Sequence, residues 1–340
     1  MGHFPLLSLA IYAVLFKGLS SKGVNRRING LRDFKSKVIH AELANLNVKA
    51  RPTGSWSMAR LSSNSPTKFD SFSSTKNLEI PANKGKGVEV FVVDSGFSEG
   101  FDDYVLPVQT IDFTGTGTQD KVQHGTNIAA VIAGQNYGIA TDSQVYVLKI
   151  LDDYQMKNTK LFAALNWILE HVEKSLKKSV INLSSAIFGI KDGSASASRL
   201  DFFVQRFKEL GVVFVTSSGN QNIQCDSYLS SLDGVITVGS INKYNERSSF
   251  SNYGDRVDVL APGEEIKVPY TSDKFFYGKT VEGTSFSAAI VSAVIAVYLS
   301  IGVAPEDIRS VLTASATSGI LDSDSLKGSP NLIVNITPKY

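Results

Sequence analysis

Three short stretches carry side chains that can act together: Asp94 in VVDSG, His124 in QHGTNIAAVIAG and Ser285 in EGTSFSAA. A serine hydroxyl is a weak nucleophile. It becomes a strong one beside an imidazole that takes its proton, and the imidazole needs a buried carboxylate to fix its tautomer and stabilise its charged form. The chain holds four histidines, and three are poorly placed for that task. His3 lies in an N-terminal apolar run, His40 in a basic leader, and His171 in an amphipathic helical pattern beside Glu170, where solvent exposure is expected. His124 is left as the base. Each stretch alone is weak, because Asp-Ser-Gly suits a turn, His-Gly-Thr a loop and Gly-Thr-Ser a helix N-cap. Their joint occurrence, in the order Asp94, His124, Ser285, is far more specific.

Elements that could hold these groups are visible in the apolar pattern. Runs of strand length occur at residues 88–93, 145–150, 180–183, 212–215, 235–238 and 257–260. Between them lie helical stripes: Leu161, Leu165, Ile168, Leu169 and Val172 form one, and Leu200, Phe203, Phe207 and Leu210 another. Strands alternating with helices predict an α/β fold of three layers, a mainly parallel central sheet with helices on both faces. Such strands deliver reactive groups at their carboxyl ends, where Asp94 falls. Residues 283–304 carry no charge at all. By length they could span a bilayer, form a buried helix, or form a helix whose first turn presents Ser285. In a layered domain a helix buried all round is favoured, because Ala288, Ala289, Ser292, Ala293 and Ala296 permit close packing on every side.

The chain of 340 residues, 43% hydrophobic, can bury a sizeable core. Its net charge of +2 points to no nucleic acid or other polyanionic partner. The charge is unevenly spread, with nine Lys/Arg against two Asp/Glu in residues 17–51 and the remaining 25 against 30 beyond them. The apolar run at residues 4–16 suits a signal peptide better than a membrane anchor, so residues 1–20 are expected to be removed. A short basic leader would follow at 21–50, with Arg26-Arg27 as a candidate processing pair, and the main domain at 51–340. Residues 55–86, dense in Ser, Thr, Asn, Pro and Lys, read as irregular surface chain. Asn335-Ile336-Thr337 is a glycosylation sequon weakened by Pro338.

From about residue 51 onward the chain resembles the subtilisin-like serine proteases, and within them the proteinase K-like branch. VVDSG, HGTNIAAVIAG and GTSFSAA resemble that family's aspartate, histidine and serine motifs, and RSSFSNYGDRVDVLAPG is similar to a further long stretch. TSSGN resembles the segment that supplies the oxyanion-hole asparagine, which falls on Asn220. The resemblance implies a secreted or secretory-pathway serine endopeptidase, monomeric, with Ser285 as nucleophile, His124 as base, Asp94 as its orienting carboxylate and a polypeptide as substrate. Ser184, Ser185, Ala186, Ser218 and Gly219 would line the substrate cleft. No metal or organic cofactor is required, although Asp258 falls where that branch has a calcium ligand. One carboxylate cannot supply the six or more oxygens calcium takes, and a capping or ion-paired aspartate is the competing expectation.

Several positions depart from the family pattern. Asn127 stands where a second histidine is usual, and Phe286-Ser287-Ala288-Ala289-Ile290 replaces a Met-Ala-Thr/Ser-Pro-His run. Ser184-Ser185-Ala186-Ile187 replaces Ser-Leu-Gly-Gly at the pocket wall, and residues 152–160 lack the usual glycine-containing edge. Side chains where glycines stand should narrow the pocket, so cleavage after small residues such as Ala or Ser is expected. A cleft blocked by the same side chains would instead make the chain a silent peptide-binding scaffold. An α/β-hydrolase lipase or esterase fits less well, because the serine lacks the Gly-x-Ser-x-Gly context. Cys225 is the single cysteine, so no intrachain disulfide can form. Thermal unfolding with and without dithiothreitol is therefore expected to give the same Tm, and a lower Tm in reductant would reveal an intermolecular bridge through Cys225.

Overall fold

The run Val90-Phe91-Val92-Val93 has no polar residue to turn toward water, so a strand made from it must be covered on both faces. All four side chains are fully buried in β3 (Glu89–Asp94), inside a parallel sheet. A computed structural model describes residues 48–53, 55–66, 77–98, 103–152, 157–184, 190–272 and 275–337. The N-terminal apolar run, most of the basic leader and Arg26-Arg27 lie outside them. In chain order the elements are β1 (Val48–Pro52), α1 (Trp56–Arg60), β2 (Asn77–Pro81), β3, β4 (Gln109–Asp112), α2 (His124–Ala133), β5 (Gln144–Lys149) and α3 (Asn158–Ser175). They continue with β6 (Ser179–Leu183), α4 (Ala195–Glu209), β7 (Val212–Ser217), β8 (Val235–Ile241), β9 (Val259–Pro262), β10 (Ile266–Ser272), β11 (Phe275–Val281) and α5 (Thr284–Ser300). α6 (Ile308–Ser315), β12 (Thr317–Ser318), α7 (Ser323–Leu326) and β13 (Leu332–Ile333) complete the described chain.

Among the described residues nine strands form the main sheet, in the order β12-β13-β9-β8-β7-β6-β3-β5-β4. Every pair is parallel except β12–β13. β3 lies between β5 and β6, with Val90 opposite Val145 on one side and Val180 on the other. Chain order reverses at β3: β4 and β5 fall to one side, β6 to β9 to the other. In open α/β sheets such a reversal leaves a crevice at the carboxyl ends of the strands, and Asp94 is the last residue of β3.

Side chains of a strand alternate between faces, and the two helical layers take one set each. Phe91 and Val93 pack with Leu165 and Ile168 of α3 and with Phe203 and Phe207 of α4. On the opposite side α5 lies against β6, β7, β8 and β9 and against α2. Every residue of α5 from Thr284 to Leu299 is buried, which is why residues 283–304 carry no charge. Its polar atoms are met internally. Ser287 Oγ donates to the carbonyls of Ala261 and Pro262, both at 3.1 Å, and Tyr298 Oη donates to the Asn335 carbonyl at 2.7 Å. Asn182 of β6 donates its side-chain amide to Ser292 Oγ at 2.9 Å, tying helix to sheet. The uncharged stretch is thus the central buried helix, and among the described residues no helix is long and apolar enough to cross a membrane.

Several readings of the sequence are corrected. The segment 55–86 is not simply irregular surface: Trp56 to Arg60 form α1 and are all buried. Arg60 is fully buried because carbonyls replace water around its guanidinium, which donates to Ser63 O and Ser65 O at 2.9 Å each. Burial lowers its pKa to about 10. β1 begins at Val48, ahead of residue 51, because Val48–Pro52 pair with Asn77–Pro81 of β2. His171 is half-buried rather than exposed: Nε2 lies 3.1 Å from the buried Glu89 carboxylate and its ring stacks on Trp167 at 5.1 Å. The sequon residue Asn335 is fully buried, its amide nitrogen donating to Asn64 Oδ1 at 2.9 Å and Thr317 Oγ1 at 3.1 Å, so the folded domain does not offer it for glycosylation.

The packing of α5 makes one strong demand. Ala293 is fully buried among strands and helices. Ala293→Leu is expected to destabilise the protein by about 1–3 kcal/mol through overpacking, read as a lower Tm in thermal unfolding. An unchanged Tm would mean that α5 does not face a filled core at that point.

Candidate active site

Asp94 leaves β3 fully buried, and the N–H of Ser95 donates to its Oδ1 at 2.7 Å. α2 starts at His124 and approaches the end of β3 as closely as backbone allows. A Cβ on Gly125 would stand 2.5 Å from the Gly96 carbonyl oxygen and 3.2 Å from Asp94 Cβ, so only glycine permits the contact. Ser95 Oγ accepts the Gly125 N–H at 2.9 Å and fastens the junction. His124 Nδ1 consequently lies 2.8 Å and 2.9 Å from the two Asp94 oxygens, and its Nε2 lies 3.0 Å from Ser285 Oγ. Nδ1–H facing a carboxylate leaves Nε2 as the acceptor for the serine proton. Burial pushes the imidazole pKa down, but the charge and hydrogen bond of Asp94, with a further contribution from the charge of Asp120, outweigh it, and the net shift is upward from 6.5. Phe286 closes one side, its ring centroid 5.7 Å from that of His124.

Ser285 stands in the first turn of α5, entered through Gly283 at φ 141, a backbone angle that side-chain-bearing residues rarely adopt. Thr284 fixes the neighbouring amide. Its N–H and its Oγ1 both donate to Asn220 Oδ1, at 2.9 Å and 2.7 Å, while its Oγ1 accepts from the Gly219 N–H at 3.2 Å. With Oδ1 so occupied, Asn220 Nδ2 is the end turned toward the serine. A Cβ on Gly283 would lie 3.2 Å from Ser285 Oγ and 3.4 Å from Asn220 Nδ2, so the two groups border one small space. Asn252 shapes the loop that carries Asn220. Its amide nitrogen donates to Ser218 O at 2.9 Å, and its Oδ1 accepts from the Gln221 and Ile223 N–H groups at 3.0 Å and 3.2 Å.

Asp94, His124, Ser285 and Asn220 are therefore brought together from β3, α2, α5 and the loop after β7. Ser218 and Gly219 lie in that same loop, and Ser184 follows β6, its carbonyl accepting from Ser217 Oγ at 3.1 Å. Ser185, Ala186 and Ile187 lie outside the described residues, as do residues 153–156 of the altered edge. Asp258 is not part of the site. Its Oδ2 accepts the Thr237 N–H at 2.8 Å and its Oδ1 pairs with the Arg309 guanidinium. That arrangement does not fit calcium, because a cation already occupies the carboxylate, and among the described residues no cluster of three His, Cys, Asp or Glu side chains could hold a metal ion. Thr284, Asn252, Ser95 and Asp120 were not singled out from the sequence. Asp120 alone left a signal there, as a lone acidic residue four positions before His124.

Comparison with known proteins places this geometry. Residues 85–331 match the subtilase family. The chain is 30% identical over 265 residues to a cuticle-degrading serine protease of Arthrobotrys oligospora, covering 73% of this chain and 61% of that protein. It is 28% identical over 310 residues to the subtilisin-like serine protease Pen c 2 of Penicillium citrinum, covering 82% and 64%. Proteinase R of Parengyodontium album is 24% identical over 295 residues, with 86% and 72% covered. The chain thus spans about three fifths of the length of the first two relatives. The crystal structure of a cold adapted subtilisin-like serine proteinase superposes with a TM-score of 0.68 at 25% identity, covering 84% of this chain and 98% of that one. On its sequence match, its parallel sheet and this superposition, the chain belongs to the subtilase family, on the proteinase K-like branch.

Proposed function

We propose that the chain is a serine endopeptidase that hydrolyses peptide bonds through Asp94, His124 and Ser285. The observation that carries this reading is the unbroken series from the Asp94 carboxylate through His124 to Ser285 Oγ, with contacts of 2.8 Å and 3.0 Å. Ser285 Oγ attacks the peptide carbonyl while its proton passes to His124 Nε2. Asn220 Nδ2 and the Ser285 N–H donate to the developing oxyanion, and the imidazolium then gives its proton to the leaving amine. Water repeats the sequence in reverse on the acyl-enzyme. The substrate lies extended beside Ser184 and the Ser218-Gly219 turn, in the manner of an added strand. An apolar N-terminal run followed by small residues supports delivery into the secretory pathway, and the name of the Arthrobotrys oligospora relative, which degrades cuticle, agrees with work outside the cell.

A fluorophosphonate probe is expected to label Ser285 in the wild type and to label neither Ser285→Ala nor His124→Ala. The double variant should have no less activity than either single one by more than a small factor, because the residues act as a unit. A wild type that binds peptide but takes up no probe would establish the silent-scaffold reading instead. Asn220→Ala is expected to lower kcat roughly 10²–10³-fold with little change in KM, the loss found when one oxyanion donor is removed in subtilisin; a normal kcat would remove Asn220 from the mechanism. The base must be neutral to accept the serine proton, and its pKa is raised, so kcat/KM should climb with pH through an apparent pKa above 6.5. Asp94→Asn should bring that pKa down, and a pH profile of each protein checks it.

A further inference from the structure

A second carboxylate stands behind His124 and takes no part in the series of Asp94, His124 and Ser285. Asp120 is fully buried, and its two oxygens accept four hydrogen bonds. Oδ1 accepts from the N–H groups of Val122 and Gln123 at 3.1 Å and 2.8 Å, and Oδ2 from the N–H and Oγ1 of Thr126 at 2.9 Å and 2.7 Å. The three donating residues flank His124 in the chain, two before it and one after. None of these donors is a cation. Gln123, held at φ 65, is pinned further by its own side chain, whose Nε2 donates to the Asp120 carbonyl at 2.6 Å and to Ser98 Oγ. A side-chain-bearing residue keeps such a backbone angle only where its surroundings over-determine it.

We propose that Asp120 is a positioning residue for His124: it locks the 120–126 turn that aims the imidazole between Asp94 and Ser285, and its charge helps to hold the imidazolium formed during the reaction. The groups that face His124 leave Asp120 without a rival in this role. Asp94 faces it from β3, and Ser285 and Phe286 from α5. Lys149 of β5 is turned away, its Nζ donating to the Gln119 carbonyl at 2.7 Å and pairing with Asp152 at 2.6 Å, while Lys121 is exposed. The upward displacement of the His124 pKa, in which the charge of Asp120 follows burial and the two contributions of Asp94, agrees with this placement.

The inference rests on His124 acting as the base. The test uses the full chain with active sites counted by fluorophosphonate titration, so that kcat, KM and the pH profile refer to competent enzyme only. Asp120→Asn keeps the shape, removes the charge and must turn an NH₂ group toward at least one N–H donor. Its acid limb of kcat/KM is expected to move down by roughly half a pH unit or more, with kcat reduced about tenfold or more and KM within about twofold. Thr126→Val keeps the Asp120 charge and three of its four bonds, and should lower Tm while leaving the acid limb in place. If Asp120→Asn gives no folded enzyme, Asp120→Glu decides, since it keeps the charge and lengthens the arm: an unmoved acid limb with reduced kcat supports the proposal, and an unchanged kcat overturns it. A folded Asp120→Asn with wild-type acid limb and wild-type kcat per site, altered only in Tm, overturns it as well. A wild type that takes up no probe would overturn the role of His124 as base and this inference with it, a result distinct from all the others.

Discussion

The charge of Asp94 is held out of water at the end of a strand buried on both faces, and such a charge is tolerable only if something stands on it. His124 does, with both carboxylate oxygens within 2.9 Å of Nδ1. Much of the architecture serves that contact. β3 sits where chain order reverses, so its end opens into a crevice rather than onto a neighbouring connection. Gly125 lets α2 begin in contact with the Gly96 carbonyl, and α5 brings Ser285 to the far side of the ring. A displaced α2 would take the imidazole away from a fully buried carboxylate, so the arrangement is set by electrostatics as well as by packing.

The sequence disclosed those parts whose cause is local or repeats with a fixed period. Strands covered on both faces show as apolar runs, and those around 88–93, 145–150, 180–183 and 212–215 correspond to β3, β5, β6 and β7. α3 and α4 were visible as stripes for the same reason. The hairpin of β10 and β11 was not, because the alternation of Ile266-Lys267-Val268 ends at Pro269 and Lys279-Thr280 breaks the apolar run of its partner strand. β1 and β2 were missed because in Asn77-Leu78-Glu79-Ile80-Pro81 Leu78 and Ile80 are set among polar residues rather than in a continuous apolar run. Buried Arg60 contradicts composition outright, since what permits it is a set of backbone carbonyls that the sequence does not display.

The site divides along the same line. Asp94, His124 and Ser285 could be found because each lies in a short motif with its own chemistry. The residues that orient them could not. Asn220 owes its direction to Thr284, 64 positions away, and its loop to Asn252, 32 positions away, and only the folded chain shows which amides meet. Asp258 stood between two expectations, a calcium ligand and a capping or ion-paired aspartate, and Arg309, from a helix 51 positions further on, meets the second by taking up the carboxylate.

Placing Ser285 at the head of α5 also governs how the domain can fail. The helix is buried along almost its whole length, so it cannot fray or detach without exposing the centre of the core. Local openings in proteins are confined to segments with few buried contacts, and their free energies rise to the global value in the core. Ser285 therefore belongs to the cooperative unit that opens last. A molecule of this chain that has lost its core structure has also lost the setting of Ser285, whereas one that still holds Ser285 in place presents a closed core. On the proposed function, a copy whose core has opened would be digested by intact neighbours without itself digesting others.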